Sequence, residues 1–201
     1  TGSKTVEIIG ASFIADEEAI FGEVNREWVE RESRWYHGQS RNVNDIPGGA
    51  PQIWKMVATP EGLINSNYGW CVFSEDNGFQ FHSCACQLEA DEQSRRAEMI
   101  YTRPNIQDEY NKEGMSDFIC TEVVQYFIRD NKLIALVKMR SNDSIFGYKN
   151  DYAWQKEVQE LLYKRLVCKY PTLEVGPIIW SAGSLHVYSR HFNLIDPNYK
   201  E

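Results

Sequence analysis

Two apolar runs, Thr121–Ile128 and Leu133–Met139, are separated by the polar tetrad Arg129-Asp130-Asn131-Lys132. β-Branched, aromatic and aliphatic side chains fill both runs, and a short polar joint between such runs is the signature of a β-hairpin. The chain must therefore build a sheet around its middle. The C-terminal third adds a helix and more strands to it. Asp151 to Cys168 has helical spacing, with Trp154, Val158, Leu161, Leu162 and Leu166 turned inward. Two more strand-like segments, Pro177–Trp180 and Leu185–Tyr188, flank Ala182-Gly183.

Upstream, Ala15 to Tyr36 reads as one long amphipathic helix, with Ile20, Phe21, Val24, Trp28 and Trp35 roughly on one side. Gly38 to Gln52 is loop-rich, with turns at Pro47-Gly48-Gly49. Phe79 to Asp91 predicts a second helix, and Asp108 to Ser116 a polar surface loop. The sum is an α+β fold with a large mixed β-sheet flanked by helices. At 201 residues without an internal repeat, residues 1–201 are expected to form a single domain.

Charge and cysteine usage narrow the class of partner. A net charge of −8 argues against a nucleic-acid polymer but leaves room for a small anion held by a local arginine cluster. No apolar run approaches about 18 residues and no signal-peptide pattern is visible, so neither a membrane partner nor export is expected. The five cysteines, Cys71, Cys84, Cys86, Cys120 and Cys168, have neither disulfide-framework nor CxxC spacing. Reduced thiols in a cytoplasm are the expectation, with no metal site.

The segment Arg140-Ser141-Asn142-Asp143-Ser144-Ile145-Phe146-Gly147-Tyr148-Lys149-Asn150-Asp151 carries most of the chemistry. It resembles the nucleotide-binding signature of thymidylate synthases, Arg-Ser-x-Asp-x3-Gly-x3-Asn, with Asp151 in place of the final asparagine. In the family that position reads the pyrimidine edge. An asparagine amide suits uracil, accepting from N3–H and donating to O4. Cytosine presents the reverse, a ring acceptor at N3 and an amino donor at N4, and a carboxyl group sharing a proton with N3 suits it.

Other segments resemble the family in the family's order. Glu32-Ser33-Arg34-Trp35-Tyr36 is similar to its Glu-Leu-x-Trp-Phe segment, Ile53-Trp54 to an Ile-Trp pair, and Asn67-Tyr68-Gly69 to a Tyr-Gly. Ser94-Arg95-Arg96 is similar to the Ser-Arg-Arg phosphate motif, and Leu185-His186-Val187-Tyr188-Ser189-Arg190-His191 to the His-x-Tyr-x-x-His segment. Cys120 stands at the nucleophile's position. The resemblance runs from about Glu32 to His191. Within the family, Gly147–Lys156 and Gly114–Phe118 look most like the phage deoxycytidylate hydroxymethylase branch.

The resemblance implies a thymidylate-synthase-like fold that dimerises through a sheet face, with dCMP and 5,10-methylenetetrahydrofolate as co-substrates. Cys120 would add to C6 of the base; taken alone, a free cysteine is more often a buried structural residue. Arg95, Arg96, Arg140 and Ser141 would hold the phosphate, the first two reaching across a homodimer interface. His186 and Tyr188 would hold the sugar hydroxyl, and Asp143 and Gly147 would order the folate. Glu32 would move protons, where an isolated helical Glu is nearly always solvated. Trp54 and Tyr68 would flank the folate and the reaction centre.

Departures from the synthase pattern mark where the carry-over ends. Ser33 and Arg34 differ from the family's segment, Thr121 replaces the histidine after the cysteine, and Val57 replaces a second tryptophan. The family's phosphate-loop arginine precedes a Thr-Gly; here Thr1-Gly2 opens the sequence, so that basic residue is expected to be missing. The alternatives are a CMP 5-hydroxymethylase, a thymidylate synthase or dUMP hydroxymethylase, and a silent synthase-like structural or RNA-binding module.

Overall fold

The computed structural model describes residues 3–198; the expectation at Thr1-Gly2 lies outside them. Among the described residues, five strands form one sheet: β1 Thr5–Ile14, β2 Glu98–Ile100, β3 Thr121–Arg129, β4 Lys132–Asp143 and β5 Glu174–Tyr188. Six helices accompany them: α1 Arg26–His37, α2 Gln52–Val57, α3 Tyr68–Phe73, α4 Gln80–Ala90, α5 Ile106–Glu109 and α6 Gly147–Leu166. The strand order is β1-β5-β4-β3-β2. Only β4 and β5 run parallel; the other pairs are antiparallel, so the sheet is mixed as expected.

The hairpin forms with Asp130 and Asn131 both at positive φ, values these residues tolerate better than most. Along β3 and β4, Val124, Tyr126, Ile128, Leu133, Ala135, Val137 and Met139 are buried while their neighbours are half-exposed or exposed. That alternation gives the sheet one packed face. Helix α6 covers it with Trp154, Val158, Leu162 and Leu166, together with Tyr148, Tyr152, Gln155 and Gln159; Leu161 is only half-buried.

The structure departs from the sequence reading at four places. The helix expected over Ala15–Tyr36 starts only at Arg26: Gly22 sits at φ +65°, and the Asn25 side chain caps α1 by accepting from Trp28 N at 3.0 Å. Of its proposed apolar stripe, only Trp35 is buried. Second, Thr5–Ile14 forms a strand that hydrophobic periodicity does not predict. Third, the two segments around Ala182-Gly183 are one strand. Gly183 does not end it but permits it, since a Cβ there would lie 2.8 Å from Arg140 O on β4. Fourth, α6 begins at Gly147 and ends at Leu166, and the polar 108–116 segment includes the end of α5 and a short 3-10 turn.

Candidate active site

The parallel β4–β5 pair sets the base of the site. Its register places Ser141 opposite Ser184 and Asp143 opposite His186 at the strands' common C-terminal end. Cys120 precedes β3 and is joined to β4 by Arg140 N–H donating to Cys120 O at 2.9 Å. The Arg140 guanidinium then reaches the thiol, with Nη2 3.5 Å from Cys120 Sγ. It also donates to Phe118 O at 2.7 Å and Ile119 O at 2.9 Å, and lies 4.5 Å over the Phe118 ring. Burial pushes the Cys120 thiol up to about 11, against the pull of Arg140; Asp151 and Asp117 raise it further.

Helices close the site from above. Asp151 lies in the first half of α6; its Oδ2 accepts from Asn142 Nδ2 at 2.8 Å, and the Tyr68 hydroxyl is also bonded to it. Burial raises the Asp151 carboxyl to about 7, partly opposed by those two bonds. Glu32, on α1, is buried, accepts from Trp54 Nε1 at 3.3 Å and is bonded to Tyr36. Burial, and then the charge of Asp151, push Glu32 to about 8. The two buried carboxyls therefore interact through charge, and away from water a protonated acid can donate a hydrogen bond near neutral pH.

Tyr68 opens α3 and stacks on Tyr36 with ring centroids 5.5 Å apart. The neighbouring Gly69 allows this, because a Cβ there would sit 1.8 Å from Tyr36 O. Asp143 turns back on its own loop, accepting from Ile145 N at 3.0 Å and Phe146 N at 3.4 Å. His186 is buried, with Nδ1 3.3 Å from Ser184 Oγ and its ring edge-on to Tyr188 at 4.9 Å. Burial raises the Tyr188 hydroxyl, and it senses Asp143 and Cys120 as nearby acids.

Cys120, Arg140, Asp151, Glu32, Trp54 and Tyr68 are thus linked by direct contacts or by charge, with Asp143, His186 and Tyr188 beside them. Arg95 and Arg96 are not brought in. Both are exposed before β2 at the far edge of the sheet, and neither guanidinium makes a hydrogen bond or ion pair among the described residues. Two site residues are given no role by the sequence motifs that contain them. Asn142 sits at the signature's variable position, and Tyr36 lies one helical turn after Glu32, a spacing that shares a helix face.

The family model described as "Thymidylate synthase" matches residues 15–200. The chain belongs to the thymidylate synthase family. Among curated relatives of this synthase-family chain, a deoxycytidylate 5-hydroxymethyltransferase of Enterobacteria phage T6 is 56% identical over 202 residues, covering 100% of this chain and 82% of that protein. The namesake from phage T2 is 57% identical, over 98% of this chain and 80% of its own. A thymidylate synthase of Francisella philomiragia is 26% identical over 98% and 75%. A thermostable thymidylate synthase A from Bacillus subtilis shares the fold, with a TM-score of 0.74 at 22% identity, over 100% of this chain and 73% of that one.

Among the described residues, no group of three or more His, Cys, Asp or Glu side chains is arranged to hold a metal, and no helix is long and apolar enough to cross a membrane.

Proposed function

We propose that this chain is a deoxycytidylate 5-hydroxymethyltransferase, converting dCMP, 5,10-methylenetetrahydrofolate and water to 5-hydroxymethyl-dCMP and tetrahydrofolate. The observation that carries the reading is Asp151, a buried carboxyl raised to about 7 at the position where the synthases read the base. A protonated Asp151 gives its proton to cytosine N3 and accepts from N4–H; with the proton placed that way, N3–H and O4 of uracil are both mismatched. The 56% identity to hydroxymethyltransferases that the whole chain matches supports the same reading.

In the proposed reaction Cys120 Sγ adds to C6 of dCMP, and C5 becomes the nucleophilic carbon. Burial holds Cys120 as a thiol in the free chain, so Arg140 is the group that favours its thiolate on substrate binding. The folate supplies a one-carbon unit at the oxidation level of formaldehyde. Its expected surface is α2, where Ile53 and Met56 stand 62% and 65% exposed beside Trp54, an apolar face suited to a flat heteroaromatic ring. Glu32, protonated at neutral pH, holds the proton needed beside the reacting atoms. Val57, half-buried where synthases carry a tryptophan, leaves room for the water that ends on the new carbon. His186 and Tyr188 hold the sugar hydroxyl, Asp143 and Gly147 order the folate side, and Arg140 and Ser141 serve the phosphate.

The remaining phosphate charge is met by Arg95 and Arg96 of a second copy. The sheet's other face is open, with Ile8 63% exposed on β1 and Phe127, Ile134 and Leu136 half-exposed, and a second copy would cover it. The test offers dCMP, dUMP and CMP separately, each with methylenetetrahydrofolate, and follows tritium release from C5. Release from dCMP well above the other two is expected; release chiefly from dUMP would return the chain to the synthases.

A further inference from the structure

Asn142 has a feature that the reaction above does not use. Its side chain is 2% exposed, its Nδ2 is committed to Asp151 Oδ2, and its Oδ1 is a buried acceptor without a hydrogen-bond partner among the described residues. Folded proteins rarely leave a buried acceptor unpaired unless another molecule completes it. The amide is planar, so an Nδ2 resting on the Asp151 carboxyl leaves Oδ1 beside that same carboxyl. Arg140 and Asn142 stand two apart near the end of β4, the first against Cys120 and the second against Asp151. Gly147 keeps the space open: a Cβ there would lie 3.4 Å from Asn142 Nδ2 and 3.7 Å from Asp151 Oδ2.

The exocyclic amino group of cytosine carries two N–H donors, and a single carboxyl oxygen takes only one of them. We propose that Asn142 Oδ1 accepts the second N4–H of the bound cytosine nucleotide, making Asn142 a specificity-determining residue that reads the base together with Asp151. The proposal rests on the cytidylate reading of this site. Its consequence is a second barrier to uracil, whose O4 would face the Asn142 oxygen, acceptor against acceptor. Asn142 Nδ2 also keeps Asp151 Oδ2 an acceptor, which assigns the shared proton to Oδ1, the oxygen left for N3.

The test compares the binding of three nucleotides by wild type, Asn142→Leu and Asn142→Ala: dCMP, dUMP and the deoxynucleotide of pyrimidin-2-one, which has no 4-substituent. Loss of the acceptor should weaken dCMP binding about tenfold or more. Binding of the pyrimidin-2-one nucleotide should stay within about twofold, and dUMP binding should hold or improve. An equal loss for all three would make Asn142 a structural support only and overturn the proposal, while a wild-type preference for dCMP would still stand. An unchanged dCMP preference in both variants would also overturn it. A wild type that does not prefer dCMP over dUMP would overturn the cytidylate reading, and this proposal with it. If Asn142→Leu does not fold, the smaller Asn142→Ala gives the same comparison.

Discussion

Asp151 and Glu32 are two acids that burial keeps protonated where their exposed counterparts would be ionised. The stability consequence has a definite sign. In the unfolded chain Asp and Glu ionise near 3.8 and 4.5, while folding raises these two to about 7 and about 8. Their contribution is complete below about pH 4 and is lost as pH rises through the folded values, because the folded state binds more protons there. Asp151→Asn, which cannot ionise, should flatten the fall in unfolding free energy between about pH 4 and 7, measured by denaturant titration at several pH values. The same variant presents an amide to the base, so its kcat/KM ratio for dCMP over dUMP should drop by at least about a hundredfold. An unchanged ratio would mean residue 151 does not read the base. Cys120→Ala should abolish tritium release and leave dCMP binding within a few-fold of wild type; surviving release would remove Cys120 from the chemistry.

Elements decide how closely those residues meet. Helix α6 begins at Gly147, whose missing Cβ leaves room against Asp143 Cβ, 3.3 Å from where it would stand, and against Asn142 and Asp151. Gly147→Ala improves helix propensity by at most about 1 kcal/mol, the value of an interior position, while crowding Asp151, the proposed base reader. The expected result is a melting temperature no lower than wild type together with a kcat/KM reduced about ten- to a hundredfold. By contrast Leu162→Ala, deep under the sheet, should cost about 2–5 kcal/mol of stability and leave the site chemistry intact. Strong periodicity makes α6 and the hairpin legible in the sequence. It misleads at Ala15–Tyr36, where apolar residues continue at near-helical spacing past Gly22 and Asn25, yet the backbone needs a left-handed glycine and a cap there. Strand β1 is hidden for another reason. Nearly all of its residues are exposed, so no buried–exposed alternation marks it, and its pairing with β5 is long-range.

For the molecule as a whole, the site residues come from every part of the chain, which is why local patterns alone cannot assemble them. The ordered motifs from Glu32 to His191 make the cluster of Cys120, Arg140 and Asp151 legible. Asn142 is not, because its importance lies in a contact across a turn and in an unpaired oxygen that only the folded chain reveals. Arg95 and Arg96 sit away from the cluster, exposed at the sheet edge, and the role proposed for them depends on a second copy. Mixing inactive Cys120→Ala with an inactive Arg95→Ala/Arg96→Ala variant, then unfolding and refolding together, should restore about a quarter of wild-type activity. Random pairing makes about half the dimers hybrids, each with one intact site. No recovery would show that both arginines act within their own subunit, and an active Arg95→Ala/Arg96→Ala variant would show that they do not act at all.

One assay reads both which base is used and what ends on its C5. Purified protein is incubated with dCMP tritiated at C5 and methylenetetrahydrofolate, while tritium release, the folate product and the nucleotide's mass are followed together. A deoxycytidylate hydroxymethyltransferase releases tritium in step with 5-hydroxymethyl-dCMP and tetrahydrofolate. Dihydrofolate and a methylated nucleotide appearing in step with tritium release would contradict that assignment.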